Sequence, residues 1–112
     1  MKNALVELLK AHGFTAVVDE QDVTYRKMQA LVEFGGAPAE NLLLLGRDFE
    51  ICSVCGHVVR ACVLVNLDKN LTYFAWGCVG AKQLRKESWY KTTGKQTFNA
   101  IAHTLAQGGF EI

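Results

Sequence analysis

A mixed α+β fold is predicted for this chain of 112 residues, and three observations predict it. Cys52-Ser53-Val54-Cys55-Gly56 sets two thiols two residues apart in a turn relieved by glycine, an arrangement that lets both sulfurs reach one ion. A β-rich interval follows, with a third thiol beyond it in Trp76-Gly77-Cys78. Segments with three/four apolar spacing lie towards both ends of the chain and predict helices beside the strands.

Taken in order, residues 2–12 carry Leu5, Leu8, Leu9 and His12 at helical spacing, and Gly13 stands where a helix stops. Phe14–Val18 is strand-prone and leads into Asp19-Glu20-Gln21-Asp22. Asp22 is placed to cap a helix running to Phe34, with Tyr25, Met28, Leu31 and Val32 on one face and Gly35-Gly36 ending it. Pro38 with Glu40 fits the first turn of a short helix, and Leu42–Leu45 reads equally well as helix or buried strand.

From Asp48 the pattern turns to β. Phe49 and Ile51 enter the cysteine turn, Val58–Leu67 is a strand, Asp68-Lys69-Asn70 a turn, and Leu71–Trp76 its return. Ala81–Glu87 is helix-prone, and Thr97–Gln107 repeats helical spacing at Phe98, Ile101, Ala102 and Leu105 before Gly108-Gly109.

A knuckle, a hairpin and a helix in that order make a treble-clef-like zinc module, with Cys78 expected in the first turn of the 81–87 helix. One domain spanning 1–112 is expected: an N-terminal α/β part over 1–47, the knuckle module over 48–95, and a C-terminal helix and tail over 96–112.

Composition excludes several classes. Half the residues are hydrophobic and there is one proline, so the chain is not of disordered type. No apolar run approaches the roughly 20 residues that span a bilayer, and Glu7 interrupts any signal-type core, so no membrane association and a cytoplasmic location are expected. In that compartment a Cys-x-x-Cys pair reads as metal-binding or redox-active rather than as a disulfide. Gly56-His57-Val58-Val59 is poor helix material after the pair, which disfavours the redox reading.

Zn2+ is therefore the expected cofactor, held by Cys52, Cys55 and Cys78. The fourth ligand is open between Cys62, His57 and His103, with Cys62 favoured because it would complete an all-sulfur site. Water in the fourth position would instead permit hydrolysis. His12 is expected on a helix surface without chemistry.

Residues 1–51 carry five basic and eight acidic side chains (net −3), and residues 52–112 carry seven and three (net +4). Lys82, Arg85, Lys86, Lys91 and Lys95 interleave with Trp89 and Tyr90, a pattern suited to neutralising phosphates and stacking on bases. The competing reading is a solvated basic helix face with Trp89 in the core. Thr93-Gly94-Lys95-Gln96 lacks both the earlier glycine and the following hydroxyl of a phosphate loop, and no deaminase or nucleophile-turn motif is present.

The residues Cys52, Cys55, Gly56, His57 and Arg60, then Gly77, Cys78, Val79 and Lys82, then Trp89 and Gly94-Lys95, together resemble a group of small phage and plasmid zinc-binding proteins. Their core reads Cys-x-x-Cys-Gly-His, a hairpin, then Gly-Cys-Val-Cys-Ala-Gly-Lys. The resemblance covers residues 52–95 and departs at Gly80, where the group has its fourth cysteine. It implies zinc binding and a mobile-element setting.

The expected function is a non-enzymatic, zinc-stabilised module that contacts nucleic acid or a host nucleoprotein complex through the basic and aromatic residues. The alternatives are a mobile-element inhibitor of a host defence complex of CRISPR type, and a hydrolase with an open zinc site. The stretch 28–45 either completes the core or forms a homodimer face.

Overall fold

The computed structural model describes residues 3–17, 26–28, 30, 42–79 and 85–112. Helix α1 (Ala4–Ala11) opens at Asn3, whose side chain accepts from the Val6 N–H, and buries Leu5, Val6 and Leu9. A short strand β1 (Thr15–Ala16) follows. Strands β2 (Leu42–Ile51), β3 (Val58–Asn66), β4 (Leu71–Cys78) and β5 (Lys86–Tyr90) come next, and helix α2 (Lys95–Gln107) closes the order. Arg26–Met28 are helical, in agreement with the helix expected after Asp22. The rest of that expectation and the turn at Pro38 fall outside the described residues.

Among the described residues, five strands form one antiparallel sheet in the order β1-β2-β3-β4-β5. Leu42–Leu45 resolve as strand, because they continue into Asp48–Ile51 as a single β2 paired along β3, with a register shift between Asp48 and Glu50 that leaves Phe49 as a bulge. The β3–β4 turn is fixed locally: Asn66 Oδ1 accepts from the N–H groups of Asp68 and Lys69, and Asn70 takes a positive φ of 52°.

Strand alternation divides the interior in two. Leu45, Val59, Ala61, Val63, Val65, Phe74 and Trp76 face α1 and α2, meeting Leu5, Leu9, Phe98, Ile101 and Leu105. Cys62, Leu64, Tyr73 and Ala75 face the other way and pack with Met28. Both helices thus cover one side of the sheet, and the helical turn containing Met28 covers the other.

The treble-clef expectation is corrected in one part. Lys86 and Glu87 belong to strand β5, paired with Trp76 and Ala75, rather than to a helix over 81–87. Residues 81–84 lie outside the described residues. A seven-residue helix following glycine is marginal by itself, whereas the edge of β4 offers a row of backbone hydrogen bonds, and tertiary pairing overrides local propensity.

Candidate metal centre

Three chain segments meet at the ends of β2 and β4. Cys52 follows the last residue of β2, and its N–H donates to the His57 carbonyl at 2.8 Å while its own carbonyl accepts from Gly56 N at 2.9 Å. These two bonds close the turn, and Gly56 adopts a φ of +75° that residues with side chains rarely reach. Cys55 sits on the exposed side of that turn. Cys78 ends β4 opposite Val59, and the next residue, Val79, donates to the Val58 carbonyl at 2.8 Å, so the hairpin ladder sets Cys78 beside the knuckle.

The Sγ atoms of Cys52, Cys55 and Cys78 all lie within 4.8 Å of one another, and no disulfide links them. Sulfurs bonded at about 2.3 Å to a tetrahedral ion stand roughly 3.8 Å apart, so a small contraction brings all three onto one ion. Three thiolates suit zinc and other thiophilic ions. Cys52 and Cys78 are buried at 8% and 7% exposure, which gives the centre a dry inner side and a wet outer one at Cys55.

The two buried thiols are electrostatically unlike. Backbone N–H groups of Cys55 and Val54 point at Cys52 and bring its thiol down to about 6. Burial pushes the Cys78 thiol up to about 11, and the hydrogen bonds that this thiol donates to the Cys55 and Cys52 sulfurs act in the same direction. Cys78 is the last residue of strand β4 and not part of a helical turn, which corrects its expected place in the first turn of a helix.

Cys62 is corrected as a ligand. It pairs with Gly46 and Ala75 in the middle of the sheet, fully buried on the face opposite Cys52 and Cys78. Its position in β3 has the parity of Arg60 and Leu64, not that of Val59 and Ala61. His57 is exposed beside the knuckle, and among the described residues no fourth histidine, cysteine or carboxylate joins the three-sulfur group. His103 is exposed on α2. His12 is half-buried, with Nδ1 2.8 Å from the Leu8 carbonyl and its ring 4.8 Å from that of Phe98.

The basic and aromatic residues do not form one patch. Arg85 turns to the cysteines: Nη2 donates to Cys52 Sγ at 3.3 Å and to Cys78 Sγ at 3.4 Å. That contact was missed in the sequence reading, where Arg85 stood in a basic run. On β5, Lys86 and Tyr90 share the α1/α2 side, whereas Trp89 and Glu87 take the Tyr73 side. Trp89 is 55% exposed, which does not fit the competing reading of a core residue, and its ring lies edge-on to Tyr73 at 4.7 Å. Tyr90 packs against the larger core, Lys91 is exposed, and Lys95 opens α2 beside Asn3 and Asn70. Lys82 lies outside the described residues.

Glu87 accepts from the Tyr73 hydroxyl and pairs with Lys27 Nζ at 2.7 Å. Lys27, then Tyr73, holds the Glu87 carboxyl below the usual range, whereas burial and the adjacent Glu87 raise the Tyr73 hydroxyl.

No protein-family model matches the chain, and it has no match among the curated proteins or the solved structures. Among the described residues no helix is long and apolar enough to cross a membrane.

Proposed function

We propose that this chain is a zinc-stabilised binding module in which Cys52, Cys55 and Cys78 hold the ion and the β5 edge contacts nucleic acid or a nucleoprotein. One observation carries the metal reading: three thiols from two strand ends converge within 4.8 Å on a turn whose backbone is hydrogen-bonded shut. The ion would tie the β2–β3 turn to the end of β4, a structural role in which binding energy on the order of 10 kcal/mol is also folding energy. The mobile-element setting implied by the resemblance fits such a module, with a host defence complex as one form of nucleoprotein partner.

The proposed contact runs along the edge strand β5, with Lys86 and Trp89 exposed on its opposite faces and Lys91 exposed just past its end. Lysines neutralise phosphates there, and an exposed indole offers a face to an unpaired base. Arg85 and Tyr90 leave this set, since one is held by sulfur and the other packs inward.

Metal analysis of the purified chain tests the reading, with one zinc per chain expected. Cys52→Ser should lose the metal and the cooperative unfolding transition together. Retention of an unchanged transition without metal would exclude a structural ion. Nucleic-acid binding should weaken by roughly one log unit per log unit of salt for each phosphate neutralised, and salt-independent binding would exclude the phosphate contacts.

A second reading is favoured by the number of ligands: three metal-binding side chains meet among the described residues, which leaves a vertex for water and hydrolytic chemistry. Zinc-dependent hydrolysis of a phosphodiester or peptide, lost in Cys55→Ser, would support it over the structural role.

A further inference from the structure

We infer that Arg85 is the counter-ion of the metal–thiolate centre, a positioning residue that braces Cys52 against Cys78 and shields their sulfurs from electrophiles. The inference rests on the reading of the three cysteines as metal ligands.

Arg85 is fixed at three points. Its N–H donates to the Trp76 carbonyl at 3.0 Å, which anchors the backbone just before β5. Its guanidinium lies over the Trp76 ring, 5.5 Å from the centroid. From there Nη2 bridges two sulfurs carried by different strands, 3.3 Å from Cys52 and 3.4 Å from Cys78. A guanidinium satisfies these demands together because it is planar, permanently charged and carries several donors; an ammonium does not stack in the same way.

The charge balance gives the contact its purpose. Three thiolates around one divalent ion leave a net negative charge, and a cation at its edge offsets it. N–H donors to coordinated sulfur draw electron density away from the metal–sulfur bond and from the lone pair an electrophile attacks. Outer partners of this kind orient the ligands and tune the metal, and their loss costs about 10–100-fold in affinity. The exposed Cys55 lies outside this contact and is the open flank of the centre.

The test uses the full chain loaded with Co(II), and separately with Zn(II), comparing the parent with Arg85→Gln and Arg85→Lys. Arg85→Gln is expected to bind Co(II) about 10-fold or more weakly. Its sulfur-to-cobalt charge-transfer band should shift, and the zinc-loaded protein should react faster with iodoacetamide, with mass spectrometry placing the added alkylation on Cys52 and Cys78. Arg85→Lys, which keeps the charge and loses the bridge, should fall between. The band position reports on sulfur donation rather than on stability, so a variant that is merely less stable does not reproduce the result. Parent-like affinity, band and alkylation in Arg85→Gln would overturn the counter-ion role and leave the metal reading standing. A parent chain that takes up neither ion would overturn the metal reading itself.

Discussion

Gly108 at the end of α2 lies against the indole of Trp76, so that a Cβ at position 108 would stand 2.7 Å from Cζ2 and 3.0 Å from Cη2. The backbone there has an ordinary φ of −83°, so alanine is excluded by the ring and not by its own conformation. Trp76 in turn packs edge-on to Phe110 at 5.5 Å, and Arg85 lies over its ring. The close approach of Gly108 therefore lets α2 settle over the strand that carries Cys78.

Gly108→Ala should destabilise the fold by about 1–3 kcal/mol, the usual cost of inserting a methyl group into a packed interior. The urea midpoint measures it. A midpoint equal to that of the parent would mean that α2 does not rest on Trp76 as described.

The four cysteines should separate into two classes. Replacement of Cys52, Cys55 or Cys78 by serine should abolish stoichiometric metal binding, and chelation of the parent should lower its melting temperature. Cys62→Ala should keep the metal and cost about 1–2 kcal/mol through a small cavity on the opposite face. Metal content and melting temperature across the four variants decide it, and metal loss in Cys62→Ala would contradict the assigned faces.

Stability should vary with pH through the Tyr73–Glu87–Lys27 group. The folded hydroxyl of Tyr73 is raised above its ordinary value of about 10, so its contribution is complete below that pH. It is lost as the pH climbs further, where the unfolded chain releases a proton that the folded one retains. Glu87 runs the other way. Its carboxyl is lowered on folding, so its contribution is present above about pH 4.5 and disappears on acidification through the folded value. Both ends of the curve are measurable by denaturant titration: Tyr73→Phe should flatten the alkaline limb, and Glu87→Gln the acidic one. Because Glu87 is 46% exposed, its effect should be the smaller and should shrink with salt.

Trp89, 55% exposed over Tyr73, should report any nucleic acid that reaches β5. Titration with single-stranded oligonucleotide should quench its fluorescence, and Trp89→Ala should weaken binding by about 1–3 kcal/mol if one base stacks there. Lys86→Ala and Lys91→Ala should instead reduce the salt slope, each by about one. Unchanged affinity in all three variants would remove β5 from the interface.

Local chemistry in the sequence determined α1, the β3–β4 hairpin with its Asn66–Asn70 turn, the C-terminal helix, and the Cys52–Cys55 knuckle, whereas Cys78, expected at a helix start, reaches the knuckle through the pairing of β4 with β3. Each of the local elements follows from short-range rules: helical spacing, a turn residue bonding its own backbone, and two cysteines sharing a tight glycine turn. Tertiary structure decided the rest. Leu42–Leu45 joined a strand because β3 offered a partner; Lys86–Tyr90 did so because β4 had an edge to fill. Sheet parity sent Cys62 away from the other sulfurs and split Lys86 from Trp89, since neighbouring side chains on a strand face opposite sides and only the pairing register fixes which side is which. Arg85 met Cys52 across 33 residues of chain, a contact that depends on how β5 returns beside β4 and that no local pattern encodes.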